Sequence, residues 1–503
     1  MAAEQAIERI GVVGAGAMGR GIAQLMAQAG YQTLVFDADP LASDNALASV
    51  NGIWDRQVEK GRMTAADTEA ARARLSQADS LAGFADCDLV IEAIVERLDT
   101  KRALFLELEK IAAPHAVLAT NTSSLSVTEI AAACDRPGRV AGLHFFNPVP
   151  LMKLVEIVCA ERTDRAVAEA LVALIERTGH RGIRVGDTPG FLVNHAGRAY
   201  TTEALKILGE GVAAPATIDA LARAAGFRMG PFELLDLTGL DVSVPAMETI
   251  YRGFYEEPRL RPVEIGRRRL AANLLGRKTG KGFYPYAESG ERKPADIIEE
   301  PTGVLPDRVA VAGTGWAADR LRDWCEGLGV DVVDPMADTL TLVAPVGTDT
   351  TTQCARLQTD PAWTISVDVC FGLGSHRTLA TSPATGMVAA GYAIALARKD
   401  GGAAALVRDS AGLVLQRIVA AIVNLACDIA QQGIARPDDI DTAVKLALAY
   451  PHGPLEWGDA IGPEIILEIL DGLVATTGDP RYRPSPWLSR RARLGLSLLR
   501  EET

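Results

Sequence analysis

The chain has 503 residues, 48% hydrophobic and 23% charged, with a formal net charge of −13. That length exceeds what one core supports, so about two to four domains are expected. The acidic balance, with no basic block, argues against nucleic acid or an anionic membrane as main partner, and seven scattered cysteines suit a reducing compartment without metal spacing.

The opening segment Met1–Ile10 has no basic region followed by a long apolar core. No apolar run approaches the ~20 residues of a membrane span, so a cytoplasmic protein is expected.

Ile10 to Asp37, IGVVGAGAMGRGIAQLMAQAGYQTLVFD, reads as strand, glycine-rich turn, helix and second strand ending in an acid. Gly14, Gly16 and Gly19 form G-x-G-x-x-G straight after an apolar run, and Ile22, Leu25 and Met26 continue it at helical period. Gly14 permits the tight turn, Gly16 lets a pyrophosphate approach bare backbone, and Gly19 lets helix pack on strand. The turn from Gly16 through Ala17 and Met18 presents unpaired N–H groups and a positive dipole end to the phosphates. Asp37 ends the second strand, where a carboxylate accepts from a ribose diol and repels a 2′-phosphate. NAD is therefore expected rather than NADP.

Residues 1 to about 185 alternate strand and helix signals, predicting an α/β domain with a largely parallel, doubly wound sheet. Asp44 to Leu81 reads as a helical hairpin turned at Lys60-Gly61. Leu89 to Ile94 is a buried strand with Glu96 and Lys101 beyond its carboxyl end, the edge where open α/β sheets bind ligands. Val117 to Thr120 runs into Asn121-Thr122-Ser123-Ser124, and Ser126 to Glu129 fits a capping box opening a helix toward Ala133. Val140 to Leu143 leads into His144-Phe145-Phe146-Asn147-Pro148, Leu154 to Val158 carries Glu156, and Thr163 to Gly179 is a capped helix.

From Gly186 onward long helical patterns replace strands. The predicted domains are 1–186 (dinucleotide-binding), 187–290 (helical), 291–403 (a linker over Glu288 to Pro306, then a degenerate α/β segment) and 404–503 (a second helical copy). The duplication shows in VGDTPGFLVNHAGRAY (185–200) against VRDSAGLVLQRIVAAI (407–422), and in residues 217–239 against 439–462. Gln416 stands where the first copy has Asn194, so no chemistry is expected of the second copy. The segment Arg308 to Arg398 has GTGWAA but lacks the third Gly and a well-placed acid, although Asp334 follows a strand. No dinucleotide is expected there. FGLGSHRTLATSPA (371–384) faintly echoes GLHFFNPVP (142–150).

Ser123, His144, Glu156 and Asn194 stand at strand ends or at the start of the helical domain, where a cleft between domains would collect them. A histidine takes a hydroxyl proton near neutral pH, a neighbouring carboxylate fixes its tautomer, and hydroxyl and amide groups bond the reacting oxygens. Each residue also has a bland reading, His144 as a structural histidine and Glu156 as a solvent-facing residue of an edge strand. Spacing alone leaves both open.

NTSSL (121–125), GLHFFNPVPLMKLVEIV (142–158), DTPGFLVN (187–194), GPFELLD (230–236) and GRKTGKGFY (276–284) resemble the 3-hydroxyacyl-CoA dehydrogenase family over residues 8 to 286. The resemblance implies an NAD-dependent enzyme acting on an acyl-CoA substrate of (S) configuration. It implies His144 as catalytic base with Glu156 as partner, and Ser123 and Asn194 at the substrate's reacting end. It also implies Glu96, Lys101, Ser123, Asn147 and Lys278 as NAD contacts and Lys60 as a CoA contact. The long form, with its tail RYRPSPWL (481–488), is similar to a subgroup of aerobic phenylacetate breakdown, which implies 3-hydroxyadipyl-CoA as substrate. Arg198, Lys206, Arg228 and Arg252 are candidates for its distal carboxylate.

Plain acyl chains, as in 3-hydroxybutyryl-CoA or general β-oxidation, are the alternative. A free-acid dehydrogenase needs a Lys near Asn194, and Lys206 lies over three turns away. A catalytically dead NAD-binding protein is a further reading, against which the four intact residues stand. No hydratase segment precedes residue 8, so that activity is not expected. Single-copy members pair helical domains between subunits, so the tandem copy is expected to make a pseudo-dimer within one chain, and a homodimer stays open.

Overall fold

A computed structural model describes residues 7–293 and 301–502, so part of the expected linker, residues 294–300, lies outside the described residues. The chain divides into one unit running to His195 and including Gly433–Leu448, and a second made of Ala196–Gln432 and Ala449–Thr503.

The first unit carries β1 (Arg9–Val13), β2 (Gln32–Phe36), β3 (Leu75–Gln77), β4 (Leu89–Glu92), β5 (Val117–Thr120), β6 (Val140–Phe145), β7 (Leu154–Cys159) and β8 (Arg181–Gly186). They form one sheet in the order β3-β2-β1-β4-β5-β6-β7-β8. Neighbours run parallel except β6 and β7. β4 and β5 are buried at every residue, as the continuous runs of central strands require. The helix Ala17–Gln28 packs Ile22, Leu25 and Met26 into the same core. Strand order reverses between β1 and β4, and that switch point is where a doubly wound sheet opens its ligand crevice.

The hairpin after β2 is present as helices Pro40–Glu59 and Ala65–Arg74. Its end differs from expectation, because Leu75–Gln77 becomes an edge strand too short to show alternation. β8 likewise gives no clean period. Ser126 caps the helix Val127–Ala131, accepting from the Glu129 N–H at 3.2 Å, but the helix stops short of Ala133.

The second unit holds β9 (Arg308–Val311), β10 (Asp331–Val333), β11 (Thr341–Val343), β12 (Thr364–Val367), β13 (His376–Thr381) and β14 (Ala403–Val407), in the order β10-β9-β11-β12-β13-β14. It also holds most of both helical copies. The motifs of the first copy are cross-braced by buried acids. Asp219 accepts from the Phe232 and Glu233 N–H groups at 2.9 and 3.1 Å and from the Tyr284 hydroxyl at 2.7 Å. Asp236 accepts from the Phe283 and Tyr284 N–H groups at 2.9 and 3.0 Å and from the Tyr286 hydroxyl at 2.9 Å. A Cβ on Gly282 would fall 2.0 Å from the Asp236 carboxylate, which explains the glycine in GKGFY. These motifs are structural staples.

The two copies meet reciprocally. The Gly186 N–H donates to the Ile434 carbonyl at 2.8 Å, and the Arg408 N–H donates to the Val212 carbonyl at 3.0 Å. In the repeat Gly186 corresponds to Arg408 and Val212 to Ile434, so each copy's sheet edge grips the other copy's helices. Within the second unit the helices Arg198–Gly209 and Leu415–Gln431 pack together. Arg417, 2% exposed, joins Glu203 at 2.8 Å, Glu210 at 2.6 Å and the Tyr482 hydroxyl at 2.9 Å.

The second sheet repeats the first with two strands missing, the counterparts of β3 and β4. Asp187 accepts from the Val127 and Thr128 N–H groups, and its counterpart Asp409 from those of Thr350 and Thr351. That equates β11 with β5, and β9 pairs with β11 directly, leaving nothing for β4. Counting along the registers, Asp368 stands at the place of His144, opposite Thr378 at the place of Glu156. Val346 replaces Ser123 and Gln416 replaces Asn194. Gly313 keeps the φ of 103° found at Gly14, yet Met336, not Asp334, falls at the place of Asp37. The cavity beside Gly313, about 780 Å³, faces Glu464, Glu468 and Asp471 as well as Arg356. The histidine, glutamate and aspartate of the first copy are all absent from these places.

Two measurements follow from these contacts. Arg417→Ala leaves Glu203 buried without its cation, so a loss of about 3–5 kcal/mol is expected, read as a fall in Tm. Asp368 is fully buried, its Oδ1 accepts from Gln416 at 3.0 Å, and its Oδ2 has no hydrogen-bond partner among the described residues. Burial pushes this carboxyl above the usual range. An acid raised on folding stabilises while protonated, and that contribution is lost as pH rises through the folded pKa. Asp368→Asn should therefore raise Tm at neutral pH by the equivalent of about 1–3 kcal/mol, with the gain vanishing as pH falls into the ordinary carboxylate range.

Candidate active site

The turn after β1 is shaped by contact. A Cβ at Gly14 would approach the Ala93 carbonyl oxygen to 2.5 Å, and one at Gly19 the Gly14 carbonyl oxygen to 1.8 Å. Beside Gly16 there is open space, so an anion can reach the backbone where the helix Ala17–Gln28 begins. Asp37 is held over this turn, accepting from the Ala15 N–H at 2.7 Å and the Asp39 N–H at 3.0 Å. Bare backbone at a helix N-terminus and a half-buried carboxylate closing β2 fit a pyrophosphate and a ribose diol.

At the end of β4, Glu92 and Lys101 are 0% and 1% exposed and pair at 2.5 Å. Glu92 also accepts from the Thr120 hydroxyl at 2.6 Å and the Ile94 N–H at 2.7 Å. Lys101 reaches Glu96 at 3.3 Å. Glu96 in turn clamps the loop after β5, accepting from the Thr122 hydroxyl at 2.7 Å and from the Ser123 and Ser124 N–H groups at 3.0 and 3.1 Å. Burial opposes its charge, but these bonds and the Lys101 ammonium hold its carboxyl below the usual range. The resemblance implies Lys101 and Glu96 against NAD. In the structure the Lys101 ammonium is taken up inside the sheet's edge, and Glu96 faces the Ser123 loop.

The antiparallel pairing of β6 and β7 sets His144 directly opposite Glu156. Their side chains meet, Nδ1 to Oε2, at 2.6 Å, with His144 5% and Glu156 0% exposed. The other Glu156 oxygen accepts from the Leu192 and Val193 N–H groups at 3.0 and 2.8 Å. Those amides are aimed by a left-handed turn, Gly190 at φ 78° and Phe191 at φ 50°, a conformation rare for a phenylalanine. The Phe146 and Phe191 rings lie 4.5 and 5.6 Å from the imidazole. A carboxylate on Nδ1 makes that nitrogen the donor and leaves Nε2 as the proton acceptor. The bland reading of Glu156 as a solvent-facing residue of an edge strand does not hold, since β7 is flanked by β8 and Glu156 is 0% exposed.

Ser123 is exposed on the loop that Glu96 holds, its hydroxyl 3.4 Å from Glu96. The loop is tied beside His144 through Asn121, which accepts from the Phe145 N–H at 2.8 Å. Asn194 is half-buried in the helix Val193–Ala196, directly after the amides that bind Glu156. Asn147 and Lys60 are exposed. Lys278 belongs to the second unit, where it pairs with Asp241 at 2.8 Å. Sequence reasoning missed Glu92, Asn121, Thr122 and Asp187. A glutamate ending the apolar strand Leu89–Glu92 was a usable signal, whereas the other three become visible only through their backbone partners. Among the described residues no group of His, Cys, Asp or Glu is placed to hold a metal, and no helix is long and apolar enough to cross a membrane.

Residues 9–188 match the 3-hydroxyacyl-CoA dehydrogenase NAD-binding domain. Residues 190–286 and again 412–498 match the C-terminal domain of the same family. A relative from Escherichia coli named 3-hydroxyadipyl-CoA dehydrogenase is 36% identical, the alignment covering 97% of this chain and 98% of that one. The crystal structure of a 3-hydroxybutyryl-CoA dehydrogenase from Escherichia coli K12 superposes with a TM-score of 0.86 at 36% identity, over 97% of this chain and 99% of the other. The (S)-3-hydroxybutyryl-CoA dehydrogenase of Ralstonia eutropha matches with a TM-score of 0.54 at 38% identity, over 56% of this chain and 100% of its own. With its dinucleotide turn, its buried histidine–glutamate pair and these matches along nearly its whole length, the chain belongs to the 3-hydroxyacyl-CoA dehydrogenase family of NAD-dependent oxidoreductases.

Proposed function

We propose that this chain oxidises (S)-3-hydroxyacyl-CoA to 3-oxoacyl-CoA with His144 as general base, and that its substrate is the dicarboxylic thioester 3-hydroxyadipyl-CoA. The observation that carries the chemistry is the buried His144–Glu156 pair at 2.6 Å. NAD supplies the two-electron acceptor for the hydrogen on the carbinol carbon. The chain's own residues manage the proton. His144 Nε2 takes it from the substrate hydroxyl, Glu156 stabilises the resulting imidazolium, and the Leu192 and Val193 amides keep Glu156 from turning away. Ser123 and Asn194 bond the reacting oxygen, and Asp37 accepts from the cofactor's ribose. Glu96, Asn147 and Lys278 complete the cofactor's surroundings, and Lys60 meets the CoA moiety.

The relative named 3-hydroxyadipyl-CoA dehydrogenase supports the dicarboxylic substrate, and its tandem layout matches along 97% of this chain. The second reading, a plain short acyl chain, is supported by the full-length structure named for 3-hydroxybutyryl-CoA. The domains are read as 1–186, 187–290, 291–403 and 404–503, in a cytoplasmic protein. The reciprocal Gly186–Ile434 and Arg408–Val212 contacts support an intrachain pseudo-dimer, in which the second copy covers the face that single-copy members bury between subunits.

NADH formation should be faster, as kcat/KM, with 3-hydroxyadipyl-CoA than with 3-hydroxybutyryl-CoA; the reverse order would favour the plain-chain reading. His144→Ala should lose about 10²–10⁴-fold in kcat with NAD affinity retained, and Glu156→Gln about as much or less. Asp37→Ala should weaken NAD and relax discrimination against NADP, and unchanged NAD affinity would remove Asp37 from the ribose. A chain ended at Tyr286 should be insoluble or dimeric. If it is monomeric, soluble and fully active, the pseudo-dimer reading fails.

A further inference from the structure

The helical copies align residue by residue where they meet, so a contact made by one copy can be compared with its counterpart in the other. PRLRP (258–262) answers PRYRP (480–484) at the same shift in numbering that relates 185–200 to 407–422. Each motif folds as a short 3-10 helix, Pro258–Leu260 or Pro480–Tyr482. An acid, Glu257 or Asp479, opens each one by accepting from the N–H two residues on.

Around these turns the contacts come in pairs. Arg259 donates to the Arg483 carbonyl at 2.9 Å, and Arg481 donates to the Arg261 carbonyl at 2.5 Å. Arg261 meets Asp479 at 2.8 Å, and Arg483 meets Glu257 at 3.3 Å. Each pair is one contact made twice, once from each copy. Two first copies or two second copies could form the same bonds, so this set carries no choice of partner.

One cluster at the same seam has no twin. Glu203 accepts from the Arg417 guanidinium at 2.8 Å and from the Tyr482 hydroxyl at 2.7 Å, and Arg417 also reaches Glu210 at 2.6 Å. The two acids come from the first copy, the guanidinium and the phenol from the second. In the repeat, Leu425 and Gln432 stand at the places of Glu203 and Glu210, and His195 and Leu260 at the places of Arg417 and Tyr482. Leu425 and Leu260 are as deeply buried as the polar residues they mirror.

The consequence appears when the partners are exchanged. Two first copies would set each buried Glu203 against a histidine and a leucine. Two second copies would set each Arg417 against a leucine and a glutamine. A buried charge stripped of its counter-charge is strongly disfavoured, and only the unlike pair supplies both. An uncompensated charge in the wrong pairing is how interfaces reject competitors.

We infer that Glu203, Arg417 and Tyr482 make this seam selective for unlike copies, so that the face of the first helical copy fits the second copy and rejects another first copy. This rests on the proposed intrachain pseudo-dimer and goes beyond it by naming the residues that choose the partner. A duplicated domain indifferent to its partner would link chains through like-with-like contacts, and this cluster prevents that.

The test uses the full-length protein, with Tm and hydrogen exchange in the helices Arg198–Gly209 and Leu415–Gln431 as readouts. Arg417→His with Tyr482→Phe gives Glu203 a histidine and no hydroxyl, close to what a like copy would offer. That variant should lose about 5 °C or more in Tm and exchange faster in both helices. Glu203→Leu alone strands Arg417 and should also lower Tm. With all three changes combined the stranded charge is gone, so the loss should be far smaller than the sum of the separate losses. Strictly additive losses, or an Arg417→His, Tyr482→Phe protein as stable as the unaltered one, would overturn the inference. If dilution halves the mass of the unaltered protein and opens both helices to exchange, the copies pair between chains, and it is the pseudo-dimer reading that fails.

Discussion

A carboxylate with no exposed surface, Glu156, organises the first unit. Such a dry group persists only when its lone pairs are filled. Glu156 has the His144 ring on one oxygen and the Leu192 and Val193 amides on the other. The imidazole comes from an antiparallel neighbour in the sheet, and the amides from the turn that leaves β8. One acid thus fixes the imidazole's tautomer and anchors the segment carrying Asn194. Asp187 does the same a few residues earlier, tying that segment to the helix after β5 through the Val127 and Thr128 N–H groups.

The same economy recurs at the cofactor edge. Glu92, Lys101 and Glu96 form a chain of charge running from inside the sheet to the Ser123 loop. A buried ion pair adds little to stability when compared with apolar packing, but it fixes geometry, since each charge has few arrangements that satisfy it. The loop it fixes bears the Ser123 hydroxyl.

The duplicated half separates architecture from chemistry. Asp409 repeats the Asp187 clasp, and Gly412 and Leu413 repeat the left-handed turn of Gly190 and Phe191, with φ values of 66° and 49° against 78° and 50°. The reciprocal sheet-edge contacts are kept as well. The side chains His144, Glu156, Ser123 and Asn194 are not, and Gln416 now bonds Asp368 where the first copy has Asn194 and His144. What survives in the second half is the set of interactions that shape its surfaces.

The amino-acid sequence by itself determined the glycine turn with Asp37, the alternation of buried strands and helices and the tandem helical copies, and it singled out Ser123, His144, Glu156 and Asn194 as candidates, of which the structure pairs His144 with Glu156. Those are local patterns or motifs, and each carries its signal within a few residues or at a recognisable period. Tertiary structure alone decided that Glu156 is dry, because the groups that enclose it, His144 and the Leu192–Val193 turn, come from other segments. It also decided that Lys101 serves Glu92, that Met336 rather than Asp334 falls at the ribose place, and that Asp368 inherits the place of His144. The three-residue edge strand β3 belongs to the same class. Each depends on register or on partners far apart in sequence, and no window along one chain contains both members of such a pair.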